Sequence, residues 1–195
     1  MIMEENVPTS AGLSSYNLLD EQKLFSALSL DPGMHLLDFG CGVGNYTIAA
    51  APYVGTNGRV CAVDLWEEGV ETLELRAAMA HLDNIRAVVQ GAGNRLPYKE
   101  NYFDLCLMAT VVHILVQEQL IKTALHEVKR VLKPDGRVAV VEFYKKEGPP
   151  GPPLSWRLSP EELQHKIADS GFRLTKTVEV GPHNYLSLFN TSSAQ

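Results

Sequence analysis

The sequence predicts an α/β fold in which a mostly parallel sheet carries helices on both faces. Short β-branched apolar runs alternate with segments of helical periodicity along most of the chain, a pattern typical of parallel strands joined by right-handed crossovers. The last two apolar runs, residues 172–180 and 184–189, are separated only by a short Gly-Pro connection, so we expect them to pair antiparallel. Such a sheet binds its ligand at the carboxyl ends of the strands, where the strand order reverses.

Each element has its own signal along the chain. Apolar residues at helical spacing predict a first helix at 18–30, which Pro32 and Gly33 end. Apolar runs of the kind found in buried parallel sheets predict strands at 36–38, 59–64, 85–90, 103–109 and 137–144. Further helices are predicted at 45–53, 67–80, 117–132 and 159–170. Residues 133–136, Lys-Pro-Asp-Gly, are expected to form a turn, and the Pro-rich residues 148–153 a stiff extended excursion.

Composition limits the domain organisation and the class of partner. With 195 residues, 45% of them hydrophobic, the chain is long enough for one sizeable core and short for two. We expect residues 1–17 to form a mobile segment or a lid, residues 18–190 a single domain, and residues 191–195 a tail. The formal net charge of −6 and the pI near 5.5 argue against a general nucleic-acid binder. The sequence carries no signal for oligomeric state.

The membrane and disulfide classes are disfavoured as well. No run reaches the roughly 18 consecutive apolar residues of a membrane span, and the start, with Glu4 and Glu5, is unlike a signal peptide. We therefore expect a cytoplasmic protein. Cys41, Cys61 and Cys106 lie in or beside predicted strands and lack metal-ligand spacing, so we expect small buried hydrophobic residues and no metal site.

A glycine-rich turn follows the first predicted strand. Residues 36–47 read Leu-Leu-Asp-Phe-Gly-Cys-Gly-Val-Gly-Asn-Tyr-Thr. Glycines at alternate positions let the backbone turn sharply and let a ligand lie against main-chain N–H and C=O groups. Such a turn also serves simply to pass from strand to helix. Asp64 ends the second strand about 20 residues beyond the turn, where an acid accepts hydrogen bonds from ribose hydroxyls.

Two adenosine-containing ligands use such an arrangement, a dinucleotide and S-adenosylmethionine. The dinucleotide fingerprint is GxGxxG, and Asn45 occupies the place of its third glycine here. The carboxylate of Asp38 beside the turn is unfavourable next to a pyrophosphate and favourable next to an ammonium and a sulfonium. The residues therefore favour S-adenosylmethionine over a nicotinamide dinucleotide.

Five ordered motifs resemble those of the class I S-adenosylmethionine-dependent methyltransferases. The similarity is greatest to the small type 11 group, which includes relatives of the ubiquinone and menaquinone biosynthesis methyltransferases, and it covers about residues 18–190. The motifs are residues 36–45, Val-Asp-Leu at 63–65, Leu-Pro-Tyr at 96–98, Phe-Asp-Leu-Cys at 103–106 and Val-Leu-Lys-Pro-Asp-Gly-Arg at 131–137. The resemblance implies a Rossmann-like seven-stranded sheet in the order 3-2-1-4-5-7-6, with strand 7 antiparallel. It also implies S-adenosylmethionine as methyl donor and S-adenosylhomocysteine as product.

The resemblance also implies the residues that contact the cofactor. It assigns the methionine portion to Asp38, Gly40, Gly42 and Gly44, the ribose hydroxyls to Asp64, the adenine face to Leu65 and Trp66, and the amino group to backbone atoms of Ala109 and Thr110. The remaining expected cofactor contacts are Cys41, Asn45, Ala92 and Gly93. One departure stands out: residues 91–93 read Gly-Ala-Gly where such proteins often have Gly-Asp-Ala. The carboxylate commonly aimed at the adenine amino group is missing, so another group must recognise adenine.

Methyl transfer itself demands few catalytic groups, because alignment and exclusion of water supply much of the rate. A base is needed only if the acceptor loses a proton. His113, after the fourth strand, is the candidate base or acceptor-orienting group, and its alternative role is a structural cap of the turn. Glu142, ending the fifth strand, is a second candidate, with a solvated or ion-paired glutamate as alternative. Tyr16, Trp156 and His183 are candidate substrate contacts.

The function expected is methyl transfer from S-adenosylmethionine to a small-molecule acceptor by direct in-line displacement, without a metal. A nicotinamide-dependent reductase is the first alternative, and the missing third glycine counts against it. A non-catalytic S-adenosylmethionine-binding protein is the second alternative, suggested by the missing acid at Ala92.

Overall fold

The computed structural model describes residues 12–191, so the expectations for residues 1–11 and 192–195 lie outside it. Within this range seven strands form one sheet: β1 (His35–Phe39), β2 (Arg59–Asp64), β3 (Ile85–Val89), β4 (Phe103–Ala109), β5 (Leu132–Phe143), β6 (Phe172–Glu179) and β7 (Asn184–Thr191). Their order is β3-β2-β1-β4-β5-β7-β6. β7 is antiparallel to both neighbours, and the other pairs are parallel. The predicted fold class and strand order are therefore confirmed.

Helices cover both faces of the sheet. In the described range they are α1 (Glu21–Leu28), α2 (Asn45–Val54), α3 (Glu67–Met79), α4 (Val112–Gln117), α5 (Ile121–Val131) and α6 (Pro160–Ala168). The first three pack with Leu36 in one hydrophobic cluster, and the last three pack with Leu37 in another. Because neighbouring strand residues point to opposite faces, the two clusters lie on opposite sides of the sheet. None of the helices found in residues 12–191 has both the length and the apolar composition to cross a bilayer.

The helix predicted at 117–132 is wrong at its start. The chain forms two helices there, α4 and α5, with a break at 118–120 where Gln119 has a φ of +60°. α5 has the expected apolar stripe, whose buried residues include Ile121, Leu125 and Val128. The prediction misses α4 because residues 111–116 are apolar except for His113, so no polar face distinguishes a helix from a strand.

The turn predicted at 133–136 lies inside β5 as a bulge. Phe103 pairs with Leu132 and Leu105 pairs with Arg137, so the chain between the two pairs is longer in β5 than in β4. The strand start predicted at Arg137 is the point where regular pairing with β4 resumes. The three cysteines are buried free thiols, which confirms their expected role as small core residues.

Candidate functional site

The glycine turn lies between the carboxyl end of β1 and the start of α2. Gly42 has a φ of +52°, and among residues 12–191 no atom lies within 4 Å of the place its Cβ would take. Its main chain therefore borders open space, as a ligand cradle requires. Gly44 differs, because a Cβ there would clash with Leu73 of α3. Gly44 thus serves helix packing, and Gly40 makes room for Val111, which lies just beyond β4.

Asp38, near the end of β1, is buried without a full set of partners. The residue is 1% exposed, and its Oδ2 accepts a hydrogen bond of 2.5 Å from the Thr47 hydroxyl on α2. Its Oδ1 has no hydrogen-bond partner in the described part of the chain. Burial raises the pKa of Asp38 to about 7, and the charge of Asp64 adds to the rise. A ligand cation, such as an ammonium, would supply the missing partner and favour the charged carboxylate.

Asp64, the last residue of β2, joins the glycine turn to the start of α3. Its Oδ2 accepts from the Gly42 N–H at 2.8 Å, and its Oδ1 accepts from the Trp66 N–H at 2.9 Å. The residue is half-buried, so its oxygens remain open to further donors, such as ribose hydroxyls. Leu65 beside it is 51% exposed, whereas the Trp66 ring packs against Gly69 of α3.

Thr110 follows β4 in a strained conformation. Its φ is +53°, which is unusual for a β-branched residue and is retained mainly at functional sites. Its N–H donates to the carbonyl of Val141 on β5 at 2.8 Å, which fixes the peptide at the carboxyl edge. Ala109 before it is buried, and Val111 after it reaches Gly40. The end of β4 therefore lies against the glycine turn.

His113 and Glu142 form a buried pair at the same edge. They are 5% and 0% exposed, and His113 Nδ1 lies 2.8 Å from Glu142 Oε2 and 3.1 Å from Oε1. The His113 main-chain N–H also donates to Oε1 at 3.0 Å. Because a carboxylate only accepts, Nδ1 carries the proton of the neutral ring and Nε2 keeps its lone pair. Glu142 is thus buried and hydrogen-bonded rather than solvated, and its partner is the other catalytic candidate.

Several expected contacts have other partners in the structure. Asn45 accepts a hydrogen bond of 2.8 Å from Arg76 of α3. Ala92 packs against the hydrophobic cluster beneath α4, α5 and α6, and Gly93 is exposed. Cys41 is a buried thiol whose pKa burial raises well above its ordinary value, so it stays protonated. His183 is exposed in the connection between β6 and β7. The ligand contacts assigned to these residues stay predictions.

The Pro-rich excursion is held together by the residue that follows Trp156. The guanidinium of Arg157 donates to three carbonyls of the excursion, those of Gly148, Pro150 and Pro152, and to the Lys146 carbonyl just before it. Trp156 itself is half-buried in a 3-10 turn, Leu154–Trp156, that contacts α4. Trp156 therefore lies close to the helix that carries His113, and its contact with substrate stays a prediction.

Three hydroxyl groups of the site escape prediction from the sequence: Ser15, Tyr46 and Thr47. The Ser15 Oγ lies 2.6 Å from the Tyr46 hydroxyl and 3.4 Å from the Thr110 Oγ1. Tyr16, a candidate substrate contact, sets its ring edge-on to that of Tyr46 at 5.1 Å. Tyr46 and Thr47 are recognisable by their place in the first turn of the helix after the glycine motif. Ser15 carries no such signal.

The electrostatic character of the edge comes from three carboxylates. Glu142 is paired with His113, which leaves Asp38 and Asp64 available to a ligand. Two such carboxylates beside an open turn fit a cationic ligand with hydroxyl donors and disfavour a pyrophosphate. A cluster of three or more His, Cys, Asp or Glu side chains able to hold a metal ion is not found within residues 12–191.

Comparisons with known proteins agree with this geometry. Residues 37–140 match the family model described as "Methyltransferase domain". A demethylmenaquinone methyltransferase of Lactobacillus johnsonii is 30% identical over 129 residues, 66% of this chain and 51% of that protein. A 2-phytyl-1,4-naphtoquinone methyltransferase of Nostoc sp. is 28% identical over 149 residues, 74% of this chain and 64% of that protein.

Among solved structures, a SAM dependent methyltransferase from Aquifex aeolicus superposes with a TM-score of 0.83 at 29% identity. The match covers 95% of this chain and 94% of the other. The likeness to that structure therefore extends over nearly the whole of both chains. By contrast, the chain spans about half the length of the curated relatives it matches.

Proposed function

Since this chain belongs to the methyltransferase domain family, we propose that it transfers the methyl group of S-adenosylmethionine to a small-molecule acceptor. The observation that carries the proposal is the open turn at Gly42, with the Asp64 carboxylate bonded to it and an Asp38 oxygen nearby that no residue of the described range bonds. A ligand with an ammonium, a sulfonium and two ribose hydroxyls complements these groups. When bound, S-adenosylmethionine supplies a methyl group already activated by the positive charge on sulfur.

The chain's own residues divide the binding of this ligand among them. Asp38 accepts from the ammonium through the oxygen that has no partner among residues 12–191. Asp64 accepts from the ribose hydroxyls while it continues to hold the turn. Leu65 and Trp66 border the adenine, and the strained peptide at Thr110 borders the amino group.

His113 is the proposed general base. Glu142 holds the Nδ1–H, so the ring is oriented and Nε2 is free to accept a proton. As the acceptor forms its bond to the methyl carbon and the sulfur–methyl bond breaks, the proton lost by the acceptor passes to Nε2. A positioned base of this kind contributes roughly 10²–10⁴-fold in rate. Glu142 is 0% exposed and bonds both the ring and the main chain of His113, which supports a ring held in one orientation.

The acceptor class we propose is a quinone-related ring in its reduced, hydroxyl-bearing form. Two curated relatives are named as methyltransferases of demethylmenaquinone and of 2-phytyl-1,4-naphtoquinone. Removal of a proton from such a hydroxyl makes the adjacent ring carbon more nucleophilic, which is the task assigned to His113. We further expect no metal requirement and no nucleic-acid acceptor, in keeping with the net charge of −6.

Thermal unfolding with three ligands tests the cofactor assignment. S-adenosylmethionine and S-adenosylhomocysteine, each at about 100 times its dissociation constant, should add roughly 2.7 kcal/mol to the free energy of unfolding. NADH should add nothing. Asp64→Ala should abolish the effect, because it removes the proposed ribose acceptor and releases the Gly42 N–H. Asp83→Ala, an exposed aspartate beyond α3, is the matched control and should respond like the parent.

The contrary outcomes separate the alternatives. An Asp64→Ala variant that responds like the parent would remove the ribose assignment. Stabilisation by NADH would replace the proposal with a nicotinamide-dependent reductase. Binding of S-adenosylhomocysteine without methylated product over an acceptor screen that includes reduced demethylmenaquinone would indicate a non-catalytic binding protein.

A further inference from the structure

Residues 12–19, here named the strap, cross the carboxyl edge of the sheet. At one end, a Cβ on Gly12 would lie 3.9 Å from the ring carbon Cη2 of Trp66, just beyond β2. At the other end, the Leu18 carbonyl lies against Gly181, between β6 and β7. The N–H of Asp20, directly after the strap, donates to the Val180 carbonyl at 2.7 Å. The strap therefore reaches from the proposed adenine side of the crevice to the opposite end of the sheet.

The middle of the strap is fastened by a hydroxyl group. Ser15 is 2% exposed and is the only buried residue between positions 12 and 20 of the described chain. Its Oγ lies 2.6 Å from the Tyr46 hydroxyl on α2 and 3.4 Å from the Thr110 Oγ1 after β4. A serine buries little apolar surface, so these polar contacts, together with the Tyr16 ring on Tyr46, hold the middle of the strap.

The fastening point lies among the proposed functional groups. Tyr46 is 5% exposed, and burial raises its pKa, with the charges of Asp38 and Glu142 adding to the rise. The Tyr46 hydroxyl therefore stays protonated. It lies close enough to Asp38, the proposed ammonium acceptor, and to Glu142, the partner of His113, to be affected by their charges. Thr110, the second contact of Ser15, is the strained residue at the end of β4. The strap is therefore fastened at the carboxyl edge of the sheet, beside the residues proposed to bind the cofactor.

We propose that the strap is the roof of the cofactor crevice and that Ser15 is a positioning residue, which fastens the roof to Tyr46 and Thr110. This inference rests on the proposed function, since it takes the crevice to be the S-adenosylmethionine site. Ser15 bonds to the protein, so its loss makes the roof open more often. Entry and exit of the cofactor both become faster, and the dissociation constant changes less than either rate.

Stopped-flow fluorescence measures these rates directly. The chain has two tryptophans, so in a Trp156→Phe background Trp66, beside Gly12, becomes the reporter. For S-adenosylhomocysteine, Ser15→Ala should raise both association and dissociation rates about five-fold, the equivalent of one net hydrogen bond. Asn17→Ala, at an exposed residue of the same strap whose side chain bonds to no other described residue, should leave both rates unchanged. Tyr46→Phe should raise both rates as well, but by no more than Ser15→Ala, because it removes the 2.6 Å bond and leaves the 3.4 Å contact with Thr110. The double variant should be no faster than Ser15→Ala, because Ser15→Ala already removes the bond between the two side chains.

Two outcomes would overturn the inference. Unchanged rates in Ser15→Ala, with or without a lower melting temperature, would leave Ser15 a structural residue only. A faster dissociation with unchanged association would assign Ser15 to a direct contact with bound cofactor.

A measurement without cofactor separates this inference from the proposed function. Loosening the strap uncovers the Trp66 ring, so acrylamide should quench Trp66 more strongly in Ser15→Ala than in the parent or in Asn17→Ala. Stronger quenching in a protein that binds no S-adenosylhomocysteine would support the strap and refute the proposed function. Equal quenching in all three would refute the strap.

Discussion

The two ends of the parallel sheet each hold an aspartate, and the pKa values of the two aspartates shift in opposite directions. Asp38, near the carboxyl end of β1, is buried with one oxygen unpartnered among the described residues, and burial raises its pKa to about 7. Asp104, near the amino end of β4, accepts from the His35 N–H at 2.8 Å and from the Lys133 ammonium at 2.6 Å. Although burial opposes it, these bonds lower the pKa of Asp104. The amino end therefore uses its charge for stability, and the carboxyl end keeps bonding capacity for a ligand.

The largest effect that this contrast predicts falls on the proposed base. His113→Gln should slow methyl transfer to reduced demethylmenaquinone by roughly 10²–10⁴-fold, because no group then accepts the proton. The dissociation constant for S-adenosylhomocysteine should stay close to that of the parent, since His113 bonds to Glu142 rather than to the glycine turn. Single-turnover kinetics and calorimetric binding measure the two quantities separately.

His165→Gln, an exposed histidine on α6, is the matched control for this variant and should keep full activity. A His113→Gln protein that melts at a lower temperature and yet turns over normally would make the His113–Glu142 pair a structural cap. The carboxyl end of the sheet would then have no proposed catalytic group, and it would differ from the amino end only in binding the cofactor.

A second, smaller effect is expected at Asp38, with opposite signs for stability and binding. A folded pKa near 7, above the ordinary value of 3.8, means that the parent without ligand loses stability as pH rises from about 4 to about 7. Asp38→Asn avoids that loss, so its advantage over the parent should grow to a few kcal/mol by pH 7, at about 1.4 kcal/mol per pKa unit. Denaturant unfolding at several pH values measures this difference.

The Asp38→Asn variant should bind S-adenosylhomocysteine more weakly than the parent, although the variant itself is more stable. The parent's affinity for S-adenosylhomocysteine should rise between pH 6 and about 8, because the charged carboxylate attracts the ammonium. The variant's affinity should be lower and flat over this range. Undiminished affinity in Asp38→Asn would remove the ammonium assignment, and an unchanged pH dependence of stability would show that another group causes it.

Much of the fold could be predicted from the sequence, because strands buried on both faces are continuous apolar runs and the motifs occur in strand order. The predicted family is likewise confirmed. The helix α4 could not be predicted, because its helical face is not marked by polar residues. The bulge in β5 depends on its pairing with β4, which residues 133–136 alone do not reveal.

Most individual residues of the site could be predicted from the sequence, but the contacts between them could not. Asp38, Asp64 and Glu142 follow from their places at strand ends. The bond between His113 and Glu142 joins positions 29 apart on different elements, so the spacing of the two residues in the sequence does not predict it. The contacts of Ser15 are 31 and 95 positions away and depend on how the strap crosses the folded sheet. Such contacts arise from tertiary packing, which local patterns do not encode.

The smallest expected effect is at the amino end, and it has the opposite pH sign from that at Asp38. Because the pKa of Asp104 is lowered in the folded state, its stabilisation is present above about pH 4 and is lost as pH falls through the folded pKa. Asp104→Asn should cost about 1 kcal/mol at pH 7, a modest amount because Lys133 is 42% exposed. The cost should disappear in acid, and the affinity for S-adenosylhomocysteine should not change. Lys133→Gln should cost no more than Asp104→Asn at pH 7, since it removes the ammonium and leaves the His35 N–H bonded to Asp104. If Asp104→Asn weakened cofactor binding, the two ends of the sheet would be coupled, and the division between a stabilising end and a ligand-binding end would no longer hold.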